Sequence, residues 1–151
     1  MKALVCHTLT GIEGLRLEQD WPEPALTPGS VLIDVKATAL NFPDVLMLRG
    51  LYQERPALPF IPGLELAGVI AAVGEGVTRH KAGDRVVAYA GGGGAAERAV
   101  VRQERLLPMP STLIPTFPDH VPAVVRLAEA TPLRASQAAP TSVSCASRFM
   151  F

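Results

Sequence analysis

The chain has 151 residues, about the size of one domain, and 48% of them are hydrophobic, enough to build a core. Lysine plus arginine equals aspartate plus glutamate at 14 each, so the formal net charge is zero. That balance leaves no basic footprint for nucleic acid or an anionic membrane surface, and it predicts modest solubility at neutral pH.

The opening MKALVCHTLTG has too short an apolar run for a signal peptide and no small-residue cleavage pattern. Residues 2–6 and 15–18 are expected as short strands around a glycine-containing turn at 11–14. Cys6 and His7 are neighbours on the first strand and so face opposite ways, which keeps them from sharing an ion. The two cysteines, Cys6 and Cys145, make neither a CxxC motif nor a disulfide framework, so a cytoplasmic chain with reduced thiols is expected.

Residues 30–38 are the clearest strand. Val31, Ile33, Val35 and Ala37 share one face and Asp34, Lys36 and Thr38 the other, an alternation that predicts an antiparallel sheet with one wet side. The period changes over 41–49, where Pro43 and Asp44 suit the first turn of a helix and Gly50 stops it. A loop marked by Pro56, Pro59 and Pro62 follows. Strands are expected at 64–73, 85–90 and 97–102, with glycine turns at 74–76 and 81–84. The apolar run from Leu64 to Val73 is broken by Glu65 and Gly68 and falls far short of a membrane span. Many short strands with one short helix predict a mainly β fold, a small and partly open barrel.

Gly91 to Ala96 satisfies a GxGxxA pattern after a strand. A dinucleotide site also needs a helix opening on the glycines, and here another strand and Pro108 and Pro110 follow. The run is expected to be a flexible hairpin loop. Past Pro110 prolines interrupt every apolar stretch, and 113–151 is expected as a mostly disordered tail with at best a short helix at 121–130.

Asn41 and Asp44 stand where strand gives way to helix. They can be an N-cap and a first-turn carboxylate, or a polar pair aimed into a cleft. Tyr52, just past the helix, can be a boundary tyrosine, or a phenol that holds a carbonyl and stacks on a planar ligand. Glu65 can be a carboxylate near an active cleft or a partly buried glutamate paired with Arg49 or Arg85, and the structural role is expected. His80 and His120 stand alone in the sequence.

These positions belong to a succession of motifs: Asn41-Phe42-x-Asp44, Arg49-Gly50-x-Tyr52, Leu58-Pro59-Phe60-x-Pro62-Gly63-x-Glu65-x-x-Gly68, Val73-Gly74-x-Gly76-Val77, and Lys81-x-Gly83-Asp84-Arg85-Val86. In that order they resemble the quinone oxidoreductase (ζ-crystallin-like) branch of the medium-chain dehydrogenase/reductase family, over residues 1–110. The resemblance implies a GroES-like, partly open β-barrel over residues 1–112. It also implies hydride transfer from NADPH to a quinone or similar electron-poor carbonyl in the complete protein.

By the same resemblance Asn41, Asp44 and Tyr52 line the catalytic cleft, and Asn41 and Tyr52 face the nicotinamide. Zinc-dependent members of the wider family carry cysteine where this chain has Asn41 and histidine where it has Leu64, so no metal site is expected. The nucleotide-binding Rossmann domain of the family does not follow. The change of character near Leu113 is therefore expected to be a frameshifted or alternatively spliced end. On this expectation the chain is inactive alone, binds no NADPH tightly and exposes apolar surface through which it self-associates. A non-catalytic GroES-like interaction module is the alternative, and a co-chaperonin, which shares the barrel, a more distant one.

Overall fold

The computed structural model describes residues 1–109. The expected tail at 113–151, with its short helix, His120 and Cys145, lies outside the described residues. Strands β1 (Ala3–Cys6) and β2 (Leu15–Glu18) form an antiparallel pair, joined through a single 3-10 turn at Gly11–Gly14. Then come β3 (Ser30–Ala39), helix α1 (Phe42–Leu48), β4 (Glu65–Val73), β5 (Arg85–Tyr89), β6 (Arg98–Arg102) and β7 (Leu106–Pro108). The second sheet runs in the order β6-β3-β4-β5-β7, and every pairing in it is antiparallel.

The alternation along β3 has its predicted effect. Val31 and Ile33 are fully buried and Val35 nearly so, and they pack with Leu66 and Ile70 of β4 and with Val86 of β5. Ala37, expected on the same face, is only half-buried, because the register slips between Val35 and Ala37. Such a slip bends the strand and strengthens its twist. On the wet face Asp34 meets Arg98 at 3.0 Å, and Arg98 also meets Glu23 at 2.9 Å. That exposed pair ties the proline-rich stretch before β3 to the sheet.

β1 laces the two sheets together. Leu4 N–H donates to the Ala95 carbonyl at 2.8 Å, Glu97 N–H to the Lys2 carbonyl at 3.0 Å, and Cys6 N–H to the Phe60 carbonyl at 2.7 Å. The result is a mainly β fold of two open sheets with α1 at one end.

Two features differ from expectation. β7 has no counterpart among the expected strands; it is three residues long and ends in a proline, at the sheet edge where proline is tolerated. The glycine run at 91–94 joins β5 to β6, which lie on opposite sides of β3 and β4, so it is a crossover and not a hairpin.

The pairing of β4 with the slipped part of β3 demands a glycine. A Cβ on Gly68 would sit 2.3 Å from the Asp34 carbonyl oxygen and 2.7 Å from Ile33 Cγ2. Gly76 has a left-handed φ of 77° but open space around it. Gly68→Ala is therefore expected to cost about 2–3 kcal/mol through overpacking, against about 1 kcal/mol for Gly76→Ala from backbone strain. Urea unfolding of the two variants checks this; a Gly68→Ala midpoint at or above that of Gly76→Ala would contradict the packing described.

Candidate functional site

The first turn of α1 is built around one buried carboxylate. Asn41 is the N-cap, in extended conformation, and Pro43 follows inside the first turn, where its missing N–H leaves no bond unmade. Asp44, only 1% exposed, turns back so that its Oδ2 accepts the Asn41 N–H at 2.8 Å. Its Oδ1 accepts the Gly63 N–H at 2.8 Å, from the loop leading into β4. Both oxygens are thus engaged by main-chain donors, and Asp44 ties the helix to that loop.

Gly63 can hold this place only because it is glycine. Its φ is 95°, and a Cβ there would lie 2.7 Å from Ala95 N and 2.8 Å from Thr38 Oγ1. The glycine run closes over it: Gly93, Gly94 and Ala95 donate their N–H groups to the carbonyls of Ile61, Gly63 and Pro62, each at 2.9 Å. With these amides spent and β6 following instead of a helix, the run offers no phosphate cradle.

Glu65, the first residue of β4, completes the cluster. Its Oε2 accepts Asn41 Nδ2–H at 3.0 Å, and its carbonyl accepts the Thr38 hydroxyl at 2.9 Å. The sequence points to Arg49 or Arg85 as the partner of Glu65; the structure gives it Asn41 instead. Nothing in the sequence marks two residues 24 positions apart as partners; the β3–β4 pairing, which sets Ala39 opposite Glu65, brings the N-cap alongside.

The expected site residues therefore divide. Asn41 and Asp44 share one hydrogen-bonded cluster, joined by Glu65, Gly63 and Thr38. Tyr52 stands apart on the loop after α1, half-buried, and its hydroxyl makes no hydrogen bond among the described residues. That loop contributes Pro56 and Pro59 to a cleft of about 370 Å³, together with Trp21, Met47, Phe60 and Pro62. The lining is apolar and aromatic, suited to a planar ligand. Pro62 adjoins Gly63, so the Asp44 tie holds one wall of this cleft in place.

Cys6 is fully buried, with its thiol 3.3 Å from the Thr8 carbonyl, while His7 faces out and meets Glu18 at 2.9 Å. His80 lies half-buried beside a second cavity, with Arg79 and Arg85. Among the described residues, no three histidine, cysteine, aspartate or glutamate side chains are grouped to hold a metal ion. No helix among them is long and apolar enough to cross a membrane.

The family model described as "Alcohol dehydrogenase GroES-like domain" matches residues 27–111. The rat quinone oxidoreductase is 39% identical over 114 residues, which are 75% of this chain and 35% of that protein. The rat synaptic vesicle membrane protein VAT-1 homolog is 39% identical over 126 residues, 81% of this chain and 31% of that protein. The solved quinone oxidoreductase of Thermus thermophilus, determined also in complex with NADPH, superposes with a TM-score of 0.63 at 42% identity, covering 76% of this chain and 34% of that one. The chain belongs to the alcohol dehydrogenase GroES-like domain family, in the quinone oxidoreductase branch of the medium-chain dehydrogenase/reductases. It spans about a third of the length of the curated relatives it matches.

The cluster and Cys6 each lead to an expected outcome. Asp44→Ala leaves two buried N–H donors without acceptors and is expected to lower stability by about 3 kcal/mol. Asp44→Asn, which keeps one acceptor oxygen, should fall between it and the parent, as read by urea midpoints. A loss below about 1 kcal/mol for Asp44→Ala would show that the tie contributes little. For Cys6, burial pushes the thiol above its ordinary value of 9.0, the bond to Thr8 opposing this more weakly. The neutral form is the one that fits the fold, so its contribution is complete below pH 9.0 and is lost as the pH rises through the folded value. The parent should accordingly lose stability more steeply than Cys6→Ala between neutral pH and pH ~10.5. Parallel curves would show that Cys6 is not the titrating group.

Proposed function

We propose that residues 1–112 form the substrate-side domain of a zinc-free quinone oxidoreductase-type enzyme that passes hydride from NADPH to a quinone or a similarly electron-poor carbonyl. The observation that carries this reading is the fixed Asn41–Asp44–Glu65 cluster, which does not itself line the apolar, aromatic cleft but is tied through Gly63 to Pro62 in its wall. Relatives of the branch include the rat and Thermus thermophilus quinone oxidoreductases, which supports it.

Only part of NADPH fits this chain. Tyr52, whose hydroxyl has no partner among the described residues and whose ring is flat, and Asn41, with its carboxamide, suit the nicotinamide end and a substrate carbonyl. The phosphates do not fit: the amides of Gly93 and Gly94 are spent on Ile61 and Gly63, and residues 110–151 contain no glycine from which a phosphate-binding turn could be made. NADPH, when bound in a complete enzyme, supplies the hydride. This chain's residues orient the acceptor and keep water from it. Asp44 acts from behind, by holding Asn41 and Gly63. The donor set favours the zinc-free form, since the family's zinc-ligand positions hold Asn41 and Leu64, the latter an aliphatic side chain only 3% exposed. The free, buried Cys6 suits a reducing cytoplasm.

A second reading, an interaction module, draws on the exposed side chains of Phe42, Leu51 and Ile12, at 73%, 68% and 66% exposure. Such residues also favour self-association. One pair of measurements tests the first reading on the 151-residue chain. Trp21, the only tryptophan, lines the cleft, so duroquinone is expected to quench its fluorescence saturably. NADPH oxidation at 340 nm in the presence of the same quinone should not rise above the blank. Absence of quinone binding overturns the substrate-side assignment, and turnover by the purified chain overturns the assignment of the phosphates elsewhere.

A further inference from the structure

Resting on that reading, we infer that Glu65 is a positioning residue: it commits the Asn41 carboxamide to donate a hydrogen bond to a carbonyl oxygen of the bound quinone.

The two ends of a carboxamide are chemically opposite, and a free asparagine can present either. Here the capping box, which turns the Asn41 side chain toward the Asp44 main chain, and Glu65 make the choice together. Glu65 Oε2 accepts from Asn41 Nδ2 at 3.0 Å, which turns Nδ2 and not Oδ1 toward it. Nδ2 carries a second N–H, which has no partner among the described residues. That remaining donor is available to a ligand oxygen, and the negative charge behind it polarises the amide in the direction that strengthens donation.

The arrangement is held from several sides. The Asn41 main chain is fixed by Asp44 at 2.8 Å, and the Glu65 carbonyl by Thr38 at 2.9 Å. Glu65 also lies in register between Ala39 of β3 and Tyr89 of β5. The acceptor sits on β4 and the donor at the N-cap of α1, each held by its own main-chain or carbonyl contact, so little reorganisation is needed when a ligand arrives. Such a donor discriminates between molecules of one shape: duroquinone carries two acceptor oxygens, while durene, its hydrocarbon counterpart, carries none.

The test uses the 15N-labelled 151-residue chain, duroquinone and durene, and two variants. Glu65→Gln keeps an acceptor for Asn41 Nδ2, and Glu65→Ala removes it. In the parent the Asn41 side-chain NH2 signals should shift in step with duroquinone saturation. Glu65→Gln should bind duroquinone within about twofold of the parent, and Glu65→Ala about tenfold more weakly, the worth of one hydrogen bond. Durene should bind all three alike. If Glu65→Ala fails to fold, Glu65→Leu, which keeps much of the bulk, gives the same comparison. Unchanged duroquinone affinity on loss of the acceptor, or NH2 signals unmoved at saturation, overturns the role of Glu65 and leaves the proposed function standing. No binding of duroquinone to the parent overturns both.

Discussion

A single buried carboxylate sets the geometry on which the rest of this site depends. Asp44 is almost wholly excluded from solvent, where an unpaired charge would be very costly, and it is tolerated because both oxygens receive main-chain N–H groups. Those two donors come from separate parts of the chain: the N-cap of α1 and the glycine that precedes β4. Satisfying one carboxylate therefore fixes the distance between helix and sheet. The crowding at Gly63 then leaves room for no side chain, and the glycine run after β5 settles onto Ile61 to Gly63 through its own amides.

The sheet supplies what the helix cannot. α1 is only seven residues long, too short to be stable by itself, so its direction comes from its attachments. β3 and β4 deliver Thr38 and Glu65 to the same end of the sheet, and the register slip in β3 is accommodated opposite Gly68. A core of Val31, Ile33, Val35, Leu66, Ile70 and Val86 lies beneath. The polar cluster is thus mounted on a rigid support, the usual way in which precise positioning is obtained from loops and element ends.

Much of this is legible in the sequence because the relevant forces are local. Alternation in Ser30 to Thr38 is a direct consequence of period-two side-chain geometry, and the Pro43 and Asp44 pair announces a helix start through backbone chemistry alone. The partner of Glu65 is not legible. Electrostatics makes an arginine the reasonable expectation, but a half-buried glutamate meets whatever the strand register sets beside it, and register is a non-local property. The same limitation explains the glycine run: its turn chemistry is evident, but whether it joins neighbouring or distant strands depends on sheet order. β7 escapes a sequence reading because three residues beside a proline carry too little periodicity to stand out.

The division of labour among the site residues has a physical logic. Asp44 is only 1% exposed and each of its oxygens already accepts a main-chain N–H, so burial closes it to a ligand and its contribution is positional. Among the described residues Asn41 keeps an unspent N–H, and Tyr52 an unspent hydroxyl on a loop outside the cluster. The site thus holds a rigidly placed donor, and Pro62, next to Gly63, belongs to an apolar wall. The Asp44 tie, the Gly63 packing and the Glu65 contact together supply that rigidity, at positions a ligand need not touch.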